Sequence, residues 1–100
     1  MSDIATKTRE VTRTRLKEPK KYKVIVFNDD FTPMEFVVAM FVSVFKHSES
    51  VAVELMMKIH KEGSAVAGIY SHEIAEQRAI DATNLARENG HPPMIRVESE

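Results

Sequence analysis

The sequence has no cysteine and no tryptophan, only three glycines and four prolines among its 100 residues, and nowhere a long apolar run. Each scarcity removes a class of explanation. Without cysteine there is no disulfide, no thiol nucleophile and no cysteine-based zinc site, and a reducing compartment is allowed without being required. Three scattered glycines leave no glycine-rich phosphate loop, and neither His-Glu-x-x-His nor Gly-x-Ser-x-Gly occurs, so the common enzyme signatures are missing. No stretch approaches the roughly 18 apolar residues of a membrane span, and Met1-Ser2-Asp3-Ile4 lacks the apolar core of a secretory signal. The expected location is therefore the cytoplasm, with no membrane among the partners.

What is present, 43% hydrophobic and 29% charged positions, suits one soluble domain with a single modest core. A net charge of -1 conceals an asymmetry. Residues 1–21 carry seven Lys or Arg against Asp3, Glu10 and Glu18, with isolated apolar residues in no sustained period, and read as a flexible basic arm. Residues 22–100 hold seven basic against twelve acidic residues, so this body offers no phosphate-binding face and nucleic acid is not an expected partner.

Periodicity divides the body into six elements. Tyr22–Phe27 is β-branched and aromatic, a strand too apolar for an exposed edge. A helix from about Pro33 to Lys46 follows, with Phe36, Val37, Met40, Phe41, Val44 and Phe45 at helical spacing. Ser48 is placed to cap a second helix, about Glu49 to Glu62, with Val51, Leu55, Met56 and Ile59 apolar and Gly63 as its stop. Ala65–Tyr70 reads as a strand. Ser71 precedes a third helix to about Asn89 with Ile74, Ala75, Ile80, Leu85 and Ala86 on its apolar side, and Met94–Glu98 alternates as a last strand. The expected fold is α+β, one domain in the order β-α-α-β-α-β. It has a three-stranded antiparallel sheet, three helices on one of its faces, and the arm outside.

The chain turns at Asn28-Asp29-Asp30 before the first helix. Thr32 as N-cap, Pro33 at the first helical position and Glu35 three residues after Thr32 make a capping box, which would leave Asn28, Asp29 and Asp30 free of helix-starting duty. A turn needs only one such acceptor, so three together suit a cation or a donor-rich group. Met56, Ile59 and His60 share one face of the second helix, as Met34 and Val37 do on the first. Core packing accounts for both faces by default. Convergence of the two faces near the strand end would instead make an apolar hole with Asn28, Asp29, Asp30 and His60 at its mouth, suited to an amphipathic ligand with a cationic head.

The run Asn-Asp-Asp-Phe-Thr-Pro-Met-Glu-Phe-Val at 28–37 resembles the signature of the ClpS family, the adaptors that deliver substrates to the Clp ATPase-protease. The resemblance extends through Met56, the Ile59-His60 pair with Gly63, the stretch Gly68 to Glu76 and the stretch Ala86 to Pro92, about residues 22–98 in all. It implies an adaptor that is not an enzyme and needs no cofactor. Such an adaptor recognises a free N-terminal Phe, Tyr, Trp or Leu. On the same basis Asn28 and His60 bind the α-ammonium, Asp29 lies near the first peptide group and Asp30 adds negative potential, while Thr32, Met34, Val37, Met56, Ile59 and Pro93 form the side-chain pocket. Binding is expected to weaken once His60 is protonated. The resemblance also implies docking on the N-terminal domain of a ClpA-type AAA+ unfoldase through Glu73 and Arg78, by a monomer whose arm engages the unfoldase. Two departures stand out: Pro93 where the family often has leucine, and Ile59 where many members have valine. Both are expected to narrow the set of accepted residues.

Two other readings compete. One is a basic-armed nucleic-acid or ribosome-associated module, against which the acidic body argues. The other is a small hydrolase, or a metal site, using His60 with Asp29 and Asp30, for which no nucleophile, oxyanion motif or ligand spacing is present.

Overall fold

Five β-branched or aromatic residues and Lys23 form β1 (Tyr22–Phe27), and their largely apolar character has a simple cause: β1 is the middle strand of the sheet. The structure, a computed structural model, describes residues 20–92 and 94–100. The arm assigned to residues 1–21 therefore lies outside the described residues, except for Lys20 and Lys21, as does Pro93. After β1 come α1 (Met34–Ser43), α2 (Glu49–Glu62), β2 (Ser64–Tyr70), α3 (His72–Glu88) and β3 (Ile95–Ser99). Both β2 and β3 pair antiparallel with β1, in the order β2-β1-β3.

Alternation along the strands sets the core. Val24 and Val26 of β1, Ala65 and Ala67 of β2 and Ile95 and Val97 of β3 pack with Met40 and Phe41 of α1, Ala52 and Ile59 of α2, and Ala75 and Ala82 of α3. All three helices thus cover one face of the sheet. A bulge between Val24 and Ile25, opposite the extra residue Ala67, shifts the register so that Gly68 and Tyr70, instead of Ala67 and Ile69, stand opposite Val24 and Tyr22.

The second helix matches its expectation closely. Ser48 caps it, its hydroxyl oxygen accepting from the Val51 N–H at 3.3 Å, and Gly63 ends it at φ 93, where a Cβ would be strained. The first helix is shorter than expected, ending at Ser43 instead of Lys46. Phe45 has to reach the core, and the chain turns there through Lys46 at φ 63. His47 then donates from Nε2 to the Ala67 carbonyl, tying this loop to β2.

In α3 the apolar side differs from expectation. Ile74 and Ile80 are 47% and 50% exposed, and the buried stripe is Ala75, Ala82 and Ala86 with Ala79 partly covered. Small side chains at i, i+4, i+7 and i+11 let this helix lie close on the sheet, which leaves the isoleucines on its flanks. Val51, expected on the apolar side of α2, is likewise exposed, and fully buried Ala52 takes that place.

Candidate functional site

At the end of β1 the ladder continues one residue further on each side. The Phe27 N–H donates to the Met94 carbonyl at 2.9 Å, and the Asn28 N–H to the Gly63 carbonyl at 2.8 Å. The second bond joins the turn after β1 to the C-terminus of α2, three residues beyond His60.

The turn itself is closed by one carboxylate. Asp29 Oδ1 accepts from the backbone N–H groups of Phe31 and Thr32, both at 2.8 Å, and Oδ2 accepts from the Thr32 hydroxyl at 2.7 Å. The expected capping box is not formed. Pro33 is the N-cap of α1, no side chain caps the helix, and the Pro33 carbonyl accepts from Phe36 and Val37. The Thr32 hydroxyl instead donates to the Asp29 carboxylate, a charge-assisted bond that holds its oxygen away from the helix N–H groups it would accept from as a cap. Asp29 is consequently not a free acceptor, which corrects the expectation that all three polar residues were spare. Burial acts to raise its pKa, but the Thr32 hydroxyl, the two backbone amides and the nearby charge of His91 outweigh that, and the carboxyl is held below its ordinary 3.8.

Eight of the residues singled out in the sequence line one cavity of ≈30 Å³: Asn28, Asp29, Thr32, Met34, Val37, Met56, Ile59 and His60. Phe27 is a ninth, missed because the last residue of a strand was counted with the strand. It is half-buried, and the guanidinium of Arg96 lies 4.9 Å from its ring centroid. Ile59 is only 4% exposed and forms a floor continuous with the core, while His60, the next residue, is exposed at the rim. The default of a satisfied core histidine therefore does not apply to His60. Met34 is 44% exposed and Met56 half-buried. Unbranched and flexible, these two are the lining residues best able to yield to an entering side chain. Behind the cavity a second hollow of ≈20 Å³ shares Phe27, Asp29, Thr32 and Val37 with it. His91 stands near this wall, its ring 4.6 Å edge-on from Phe36.

Asp30 is exposed and does not line the cavity. Pro93 lies outside the described residues. Glu73 and Arg78 are both on α3, Glu73 exposed in the first turn and Arg78 half-buried, with its guanidinium 5.9 Å from the Tyr70 ring centroid. Five positions apart, they are about 140° apart around the helix. Among the described residues, no group of three or more His, Asp or Glu is gathered as metal ligands would be, and no helix is long and apolar enough to cross a membrane.

Residues 17–96 match the family described as ATP-dependent Clp protease adaptor protein ClpS. The chain is 44% identical over 89 residues to a protein of Roseobacter denitrificans described as ATP-dependent Clp protease adapter protein ClpS, covering 89% of this chain and 79% of that one. A protein of Sodalis glossinidius with the same description is 42% identical over 89 residues, 89% of this chain and 84% of its own. Among solved structures, Agrobacterium tumefaciens ClpS2 bound to L-phenylalaninamide is similar at a TM-score of 0.80 and 44% identity, over 83% of this chain and 100% of that chain.

Proposed function

The chain belongs to the ClpS family of Clp protease adaptors, and from that premise we propose that it binds the free N-terminal Phe, Tyr, Trp or Leu of a protein and delivers that protein to the Clp unfoldase-protease. The observation that carries the reading is the cavity in which two polar side chains from distant parts of the chain, Asn28 and His60, meet over an apolar floor of Val37, Met56 and Ile59. In this reading the Asn28 side-chain oxygen and a neutral His60 ring nitrogen accept from the ligand's α-ammonium. Asp29 keeps the turn closed and lies by the first peptide group, and Asp30 contributes negative potential from outside. The first side chain enters between Met34 and Met56, with Thr32 and Pro93 on the pocket wall. The L-phenylalaninamide held by the Agrobacterium protein, an aromatic residue with a free amino group and no free carboxylate, has the chemistry this arrangement would read.

Magnitudes explain why both halves are needed. Burial of an aromatic side chain of roughly 150–250 Å² at about 25 cal/mol/Å² contributes about 4–6 kcal/mol, and association alone costs about as much. Charge-assisted hydrogen bonds of about 1.5–3 kcal/mol each then decide whether binding is measurable. The adaptor transforms no substrate and needs no cofactor. It acts as a cytoplasmic monomer, with residues 22–100 as the adaptor domain and residues 1–21 as an arm that engages the unfoldase. Docking on the N-terminal domain of a ClpA-type unfoldase runs through the region of Glu73 and Arg78.

Fluorescence anisotropy with peptides beginning Phe, Tyr, Trp, Leu, Ile and acetyl-Phe tests the reading. Binding of the first four, with acetyl-Phe silent, is the expected result. Failure of every free N-terminal aromatic would end it.

A further inference from the structure

We infer that Phe31, with the exposed flank of Met34, forms an outer contact for the side chain of the ligand's second residue, so that this chain favours a large apolar first residue followed by another apolar one. The inference rests on the reading above and extends it by one position. Phe31 is 82% exposed, more than any other large apolar side chain among the described residues. A single exposed phenylalanine would need no explanation, but this one is held in a particular place. Its N–H is bound to Asp29 Oδ1, so its backbone is fixed in the closed turn while its ring stands in water. Asp29 and Thr32 line the cavity and Phe31 does not, which puts the ring outside the rim.

Met34 carries apolar surface from the cavity wall to the outside, since it lines the cavity and is almost half exposed. On the opposite bank, Val53 and Met57 of α2 are exposed one turn apart, Met57 being next to cavity-lining Met56. Exposed apolar side chains thus adjoin cavity-lining residues on both helices and make a collar. A ligand held by its ammonium between Asn28 and His60, with its first side chain inward, leads its second residue across this collar. An extended chain advances about 3.3 Å per residue, so the contact falls at the mouth and not further along. The exposed carboxylates of Asp30, next to Phe31 in the chain, and of Glu35, in the first turn of α1, oppose an acidic second residue by like-charge repulsion.

The test is anisotropy on the full chain with peptides beginning Phe-Leu, Phe-Gly and Phe-Glu, and competition by L-phenylalaninamide, which has no second residue. Wild type should bind Phe-Leu about fivefold more tightly than Phe-Gly, as burial of one small apolar contact gives, and Phe-Glu most weakly. Phe31→Ala should erase the Phe-Leu advantage, Phe31→Leu should restore most of it, and competition by L-phenylalaninamide should be the same in all three proteins. Equal binding of Phe-Leu and Phe-Gly by wild type, an advantage that survives Phe31→Ala, or a change in L-phenylalaninamide competition in that variant overturns the inference. Absence of any L-phenylalaninamide competition in wild type overturns the proposed function itself, and the inference with it.

Discussion

The hydroxyl of Thr32 donates to Asp29 Oδ2 at 2.7 Å and takes no part in capping the helix that starts two residues later. One carboxylate therefore shapes the wall of the cavity and the approach to α1 together, and the two functions cannot be separated by removing it.

Asp29→Ala is expected to destabilise the fold by about 1–2 kcal/mol, the scale of a lost helix-start carboxylate, and to weaken N-terminal peptide binding. Because the folded-state pKa of Asp29 lies below 3.8, its stabilising contribution is fully present above that value and is lost as pH falls through the lower folded value. The gap between wild type and variant in urea unfolding should be constant from neutral pH down to about 4 and close below it. A gap that already closes between pH 7 and 5 would contradict this account of Asp29.

Asn28→Ala and His60→Ala should each weaken binding of a Phe-initiated peptide by about tenfold to a hundredfold, the worth of one charge-assisted hydrogen bond, with thermal stability nearly unchanged because both side chains are exposed. Protonated His60 has no lone pair for the ammonium, so the His60→Ala variant should also lose most of the acid sensitivity of binding. Calorimetric titration of the three proteins at several pH values measures both effects.

Ile59→Ala should cost about 2–5 kcal/mol, since the side chain is 4% exposed and belongs to the core as much as to the cavity. Ile59→Val, at about 1 kcal/mol, keeps the fold and deepens the floor by a methyl group. That variant should improve binding of Trp-initiated peptides relative to Leu-initiated ones, and an unchanged Trp-to-Leu ratio would show that the floor does not set selectivity.

Gly68→Ala tests the proposed docking through Glu73 and Arg78. A Cβ there would fall 2.2 Å from Tyr70 Oη and 2.5 Å from Cζ, so the ring must leave its place and with it the surface against which Arg78 lies. Overpacking of this kind costs about 1–3 kcal/mol. Binding to an isolated unfoldase N-terminal domain should fall in Gly68→Ala and in Arg78→Ala, while Phe-peptide affinity stays as in wild type.

Elements whose signals are local were readable in the sequence. Ser48 and Gly63 bound α2 where serine and glycine are expected to do so, and the apolar run of β1 marked it as a central strand. The cavity residues could be named because helical spacing puts Met56, Ile59 and His60 together. That they meet Asn28 depends on a contact about thirty residues apart, which only the resemblance supplied. Competition was not readable. Thr32 has the identity of a cap, an acceptor for helix N–H groups, but its hydroxyl is held as a donor to Asp29, and Ile74 and Ile80 lost the sheet to alanines that pack closer. Phe27 had only a weak signal, its place beside Asn28 at the end of the central strand, since neighbouring strand residues point to opposite faces and need not border one cavity.

The hydrogen bond from the Asn28 amide to the Gly63 carbonyl, at 2.8 Å, has a dynamic consequence. It fastens the turn to the end of α2, so the separation of Asn28 from His60 is held by four residues of backbone and one rung, and not by the thirty-odd residues of chain between them. Opening of this rung, where the β1–β2 ladder meets the end of α2, releases the Asn28 proton to solvent. Amide exchange at Asn28 therefore reports how long the two halves of the cavity mouth stay fastened together.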